Sequence, residues 1–196
     1  MRGRLGCLLI AGVIGLFWAG GQNVYTGMTN RTPTQLTMAE YNRSKPTAHW
    51  LHLTSCRLVI TDAMYRESIG DIKELFIPVR PEGESAGMCS VLLSTKDPGL
   101  LLLYQQLQKS SSQQEAIGFL QNGKDKIFNR EIKGLVRFGI DMKDKERRKL
   151  ASLDKTLTSD FIILNDGAEP SIGTGIGMLA GGFVLAGVGA AFARRS

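Results

Sequence analysis

The sequence predicts an α+β domain, a small mixed sheet of about five strands with about three helices, flanked by two transmembrane helices. Three observations lead there. Apart from Arg2, Arg4, Arg194 and Arg195, every Lys, Arg, Asp and Glu lies between Arg31 and Glu169. Both ends carry long uncharged apolar stretches. Between them, short alternating apolar runs are interleaved with capped helical stretches. Whole-chain averages conceal this pattern. A chain of 196 residues with net charge +6, 43% hydrophobic and 21% charged residues, is neither a disordered tail nor a polytopic transporter.

The implied division is an N-terminal anchor over 1–21, a linker over 22–46, an extracytoplasmic α+β domain over 47–170, a glycine-rich transmembrane helix over 171–193 and a basic cytoplasmic tail over 194–196. The first apolar run, Leu5 to Gly21, follows Arg2 and Arg4 and spans roughly 25 Å as a helix, slightly short of a hydrocarbon core of about 30 Å. It fits an uncleaved anchor, or a signal peptide ending at Ala19-Gly20-Gly21. The second run, Ile172 to Ala193, reaches roughly 33 Å and is closed by Arg194 and Arg195. Both arginine pairs predict cytoplasmic termini in a plasma or inner membrane, with the middle domain outside. Small residues recur at helical spacing in Gly173, Gly177 and Gly181 and in Ala11, Gly15 and Ala19. They predict close packing of the two helices on each other, or a homo-oligomer built on the glycine face.

In the middle, Thr26 to Pro46 reads as a linker with one short helix near Met38 to Asn42. Trp50 to Leu53 and Cys56 to Ile60 form a strand whose apolar phase slips at Thr54-Ser55, as a bulge produces. Leu75, Ile77 and Val79 alternate in a second strand, where Pro78 implies an edge or an end. Cys89 to Ser94 is a third strand, buried on both faces. Asp97-Pro98 opens a short helix, and Ser112-Gln113-Gln114-Glu115 is a capping box opening another, with Ala116, Ile117 and Leu120 inward, that stops near Gly123. Ile132, Gly134, Val136, Phe138 and Ile140 alternate in a fourth strand. A helix from about Lys143 to Leu157 and a strand from Asp160 to Leu164 complete the domain.

Chemical signals are few. His49, His52 and Cys56 have the residue types of a zinc site, but a strand points residues 49 and 52 to opposite faces and the chain has no further histidine. No metal and no cofactor are expected. Cys56 and Cys89 serve either as buried thiols or as one disulfide joining two strands. Asp62, Glu67, Asp71 and Glu74 read as solvated acids around a turn. The basic run from Lys143 to Lys149 alternates in sign and lacks interleaved aromatic residues, which argues against nucleic acid. No catalytic residue is assigned. The expectation is a membrane-anchored binding or scaffold domain, an accessory component of a membrane or envelope assembly whose partners are the bilayer, envelope proteins or a second copy of itself. Two alternatives stand beside it. One is a thiol-dependent or hydrolytic enzyme centred on His52 and Cys56, the other a homo-oligomeric membrane protein assembled through the C-terminal glycine face.

Overall fold

The computed structural model describes residues 2–29, 31–68, 70–84, 87–137, 148, 150, 152 and 154–194. The chain forms two compact units, Met1–Thr32 with Pro170–Ser196, and Pro33–Glu169.

The first unit is an antiparallel helix pair, α1 (Arg2–Thr29) and the C-terminal helix (Ile172–Arg194). Contacts link Gly27 to Ile172, Val24 to Gly175, Gly20 to Leu179 and Phe17 to Gly182. Steps of three and four residues on both helices are the seam of a heptad pairing. The seam is tight because it is built on glycine: a Cβ on Gly20 would lie 2.9 Å from the Gly175 carbonyl oxygen, and one on Gly175 would lie 2.8 Å from Val24. Phe17 and Phe183 meet edge-on at 4.9 Å. Asn23 Nδ2 donates to the Ala19 carbonyl at 2.9 Å.

This seam corrects one expectation. Gly173, Gly177, Gly181 and Gly15 have nothing within 4 Å of an added methyl group, and Ala11 is exposed, so α1 does not sit on the predicted small-residue face. The glycines used are Gly20, Gly27, Gly175 and Gly182, spaced at the heptad period rather than every fourth residue. Among the described residues one helix, the C-terminal one, is long and apolar enough to cross a membrane, over Ile172–Gly189 with mean hydropathy 1.7. A chain carrying Phe17→Cys and Phe183→Cys is expected to form an intrachain crosslink on mild oxidation. Adding Gly20→Ile should cut its yield several-fold, whereas Gly177→Ile should leave it unchanged, as read by gel mobility and peptide mapping.

The second unit contains β1 (Thr34–Thr37), α2 (Met38–Ser44), β2 (Trp50–Leu58), a 3-10 turn (Ile60–Asp62), β3 (Met64–Ser68), β4 (Asp71–Pro81), β5 (Cys89–Thr95), α3 (Pro98–Lys109), α4 (Gln113–Asn122), α5 (Lys124–Ile127), β6 (Arg130–Val136) and β7 (Leu157–Asp166); the C-terminal helix of the other unit is α6. One mixed sheet holds all seven strands in the order β1-β2-β6-β7-β5-β4-β3, and β2 also pairs with β4. That extra pairing closes β2, β4, β5, β7 and β6 into a ring, with β1 and β3 as outlying edges. All ring pairings are antiparallel except β5 with β7.

Closure depends on β2 serving two neighbours. Trp50 to Leu53 and Cys56 pair with β6, while Leu51 to Thr54 pair with β1 and Cys56 to Leu58 with β4. The change of direction falls at the predicted bulge, where Ser55 takes a left-handed φ of 54°. Pro78, expected at an edge or a strand end, sits inside β4 where the partner changes from β3 to β2; its carbonyl accepts from Val59. A residue without an N–H is tolerated at such a gap in the ladder.

The barrel interior is packed with Leu51, Leu53, Leu58, Leu75, Ile77, Val79, Val91, Leu93, Ile132 and Leu164. The helices between β5 and β6 supply Leu100, Leu103, Tyr104 and Ile127 to this core, and α2 supplies Met38 and Tyr41. The two capped helices begin as predicted: Asp97 accepts from Gly99 and Leu100, and Ser112 accepts from Glu115. Ile117, expected inward, is 45% exposed. A second cluster, Phe76, Cys89, Leu92, Leu150, Leu157, Phe161 and Ile163, forms a separate layer. Phe138, Ile140 and most of the helix expected over Lys143 to Leu157 lie outside the described residues.

Candidate functional site

The β2 to β4 connection, made of the 3-10 turn and β3, builds one wall of an open cleft of about 700 Å³. Residues Thr61 to Glu67 line it in unbroken sequence, and Tyr104 of α3 faces them. Tyr65 is 51% exposed, and its ring lies 5.9 Å from that of buried Tyr104. The Tyr104 hydroxyl accepts from Gln108 Nε2 at 3.1 Å; burial pushes its pKa up, with the neighbouring Tyr65 adding to the shift.

Behind β3 lies a charged cluster. Glu74 of β4 is only 3% exposed. Arg66 pairs with one of its carboxylate oxygens. Arg137 Nη2 donates to the other at 2.5 Å, to Ser94 Oγ at 2.7 Å and to Asn165 Oδ1 at 2.8 Å. Both guanidinium groups also lie over the Phe76 ring, at 5.7 Å for Arg66 and 5.9 Å for Arg137. Burial opposes ionisation of Glu74, but the hydrogen bonds from Ser94 and Arg137 and the charges of Arg137 and Arg66 outweigh it and hold the carboxyl below its usual range. The expectation that Glu74 would be a solvated acid is therefore corrected. Glu74 shares its strand phase with Phe76, which was the available signal for burial; its partners come from β3, β5 and the residue after β6, which no local pattern connects.

A second polar network closes the helical end of the barrel. Arg130 lies 3.6 Å from Asp97 and 3.5 Å from Asp166, and Thr95 Oγ1 donates to Asp166 at 2.7 Å. Asp97 resists the effect of its own burial through the N–H groups of Leu100 and Gly99 and the charge of Arg130, which lower its pKa. This network ties α3 to β6 and β7.

The residues singled out from sequence are not brought together. His52 faces outward and meets Glu131 at 3.2 Å. Cys56 is fully buried in the core, where desolvation, aided by the charge of Glu82, pushes its thiol to about 12. A thiol so held is no nucleophile. Cys89 is also buried, and burial raises its pKa; its Sγ donates to Val91 O at 3.0 Å. Both are free, with β4 running between their strands, so the disulfide alternative gives way to the buried-thiol one. Two strand spacings, roughly 9–10 Å, exceed the reach of a disulfide. Iodoacetamide at pH 8 is expected to leave Cys56 and Cys89 unmodified in the folded chain and to alkylate both after denaturation, as mapped by peptide mass. Among the described residues no group of three metal-ligating side chains occurs.

The pairings define a closed five-stranded barrel, with a helical segment between its third and fourth strands. The chain matches no protein-family model, no curated protein and no solved structure. Such barrels carry many unrelated activities, so function is argued from the site.

Proposed function

We propose that the chain is a membrane-anchored protein whose barrel domain lies outside the cytoplasm and acts by binding, as an accessory component of a membrane or envelope assembly. The observation that carries this reading is the partition of the chain. One unit is a helix pair that includes a span of hydropathy 1.7 over Ile172–Gly189; the other is a closed barrel with an open cleft lined by polar and aromatic side chains. In this reading α1 is a second span. Its exposed Ile10, Ile14 and Trp18 suit contact with lipid, and its seam with α6 covers part of its polar content. Arg2, Arg4, Arg194 and Arg195 support this orientation, with both termini cytoplasmic, since basic residues flanking spans favour the cytoplasmic side. Single cysteines in a Cys7→Ser, Cys56→Ala and Cys89→Ala background test the orientation. A cysteine at Lys109 should react with a membrane-impermeant maleimide from outside, and one at Ser196 only after permeabilisation. The reverse pattern defeats the orientation. Affinity purification from neutral detergent should recover a stoichiometric partner; a partner-free monomer would defeat the binding role.

A second reading is favoured by one observation. The Gly173, Gly177 and Gly181 face of α6 is left open by α1, so it remains free for a second copy. A Gly177→Leu chain should then lose the oligomer seen for the unaltered chain in analytical ultracentrifugation. The thiol-enzyme alternative gains nothing from a Cys56 buried and protonated in the core.

A further inference from the structure

We propose that the cleft beside β3 docks an extended, basic segment of a partner protein, which pairs with the free edge of β3 and sets its lysine or arginine side chains against Asp62 and Glu67. This rests on the binding role proposed above, and gives it a partner class and a place of contact.

The first support is in the main chain. Among the described residues β3 ends the strand order and is paired with β4 alone. Among the described residues, no backbone hydrogen bond joins Met64 to Ser68 to any other element. The outward N–H and C=O groups of such a strand are a template for an incoming one. Natural edges are usually blunted, and this one is blunted only in part: a register shift between Arg66 and Glu67 ends the straight edge there. The pairing is therefore short, and side-chain contacts must supply the rest of the affinity.

The second support is space. A cleft of about 700 Å³ is walled by Thr61 to Glu67, which include most of β3, and by Tyr104. An added strand would enter a preformed trough rather than lie on a flat rim. The Tyr65 ring, 51% exposed and backed by Tyr104, offers a face over which a cationic side chain gains attraction.

The third support is charge. Three ionised groups line the cleft: Asp62, Arg66 and Glu67. Arg66 is committed to buried Glu74. Asp62 and Glu67 are exposed, and neither is ion-paired among the described residues; Asp62 takes a hydrogen bond from the hydroxyl of adjacent Thr61 at 3.1 Å. Two unneutralised carboxylates beside a strand edge select a basic segment and disfavour an acidic one.

Fluorescence anisotropy on the full chain in a neutral detergent tests this with three labelled nonapeptides: alternating lysine and threonine, its glutamate and threonine counterpart, and the lysine peptide with alternate backbone nitrogens methylated. The lysine peptide should bind about tenfold more tightly than the glutamate peptide, and a chain carrying Asp62→Asn and Glu67→Gln should lose about that factor. Both residues are exposed, so circular dichroism should show an unaltered fold. Methylation should weaken binding by at least as much, since it removes strand donors without changing charge. No binding of the lysine peptide, equal binding after methylation, or no effect of the double substitution each overturns the proposal. A partner captured from detergent that binds the doubly substituted chain as tightly as the unaltered one overturns this site and leaves the binding role standing. If no partner is captured, both fall.

Discussion

Replacing Gly134 by valine is expected to lower the melting temperature of the barrel by roughly 6–12 °C, the equivalent of about 3 kcal/mol for a chain of this size. Gly134 lies in β6 with ladder partners on both sides, Leu51 of β2 and Asp166 of β7. A Cβ placed there would overlap the main-chain carbonyl of Asn165 and come within 3.2 Å of Leu164 Cγ. Flexible side chains yield to such a clash at little cost. Here the obstacle is backbone, and the backbone is held by the β6–β7 ladder that closes the ring. Relief requires that the two strands separate at the point where β7 also turns toward Arg130 and Thr95. Gly134→Ala should be milder and still destabilising. Gly118→Ala is the control: it sits in α4, nothing lies within 4 Å of the added methyl, and a gain of about 0.5–1 kcal/mol is expected from helix propensity. Trp50 fluorescence in a Trp18→Phe chain follows the barrel alone; a Gly134→Val chain melting with the unaltered one would show that β6 and β7 are not closely paired.

Gly134 also shows what the sequence can and cannot convey. The alternation of Ile132, Gly134 and Val136 identifies a half-buried strand, and those residues do face inward. The glycine reads as a weak point in that pattern until the neighbouring strand is known. The same division runs through the whole domain. Caps at Asp97 and Ser112 and the slip at Thr54-Ser55 are local, so they are legible. Strands β1 and β3 escape the period because their sequences, Thr34–Thr37 and Met64–Ser68, are polar edges with little to bury. Closure into a ring is invisible too, since it follows from one strand bending to serve two partners. The helix pair shows a related error. Every-fourth-residue glycines attract attention, yet antiparallel helices in a left-handed pair meet at steps of three and four, which selects Gly175 and Gly182 over Gly173 and Gly177.

The candidate site was the least legible part. Its cleft is assembled from a segment that reads as a polar turn, and its far wall is a tyrosine from a helix almost forty residues away. The signs that identify it, a committed arginine and two uncommitted carboxylates, exist only once Glu74 is known to be buried.

Substituting that carboxylate, Glu74→Gln, is expected to destabilise the barrel by about 3 kcal/mol at pH 7, mostly through Arg137. The Arg137 side chain is 16% exposed and the Glu74 side chain 4%, and removing one member of a buried pair leaves the other charge uncompensated at a cost of about 3–5 kcal/mol. Arg66 adds little, because its side chain is 51% exposed and solvent screens it. Asn165 and Ser94 still accept from Arg137, which holds the loss near the lower bound. The pH dependence gives an independent check. The folded carboxyl is lowered below its ordinary value of 4.5, so the unfolded chain takes up its proton first as pH falls. The stabilisation from Glu74 is full above about pH 5.5 and drains away as pH drops through the ordinary value toward the folded one. Thermal melts of the two chains should be well separated at pH 7 and converge in acid, where the native carboxylate is itself neutralised. Curves that stay parallel from pH 7 to 3 would mean that Arg137 is not balanced by Glu74. Restoring balance with Glu74→Gln and Arg137→Met together should recover part of the loss at pH 7, since the buried cation then disappears with its counter-ion.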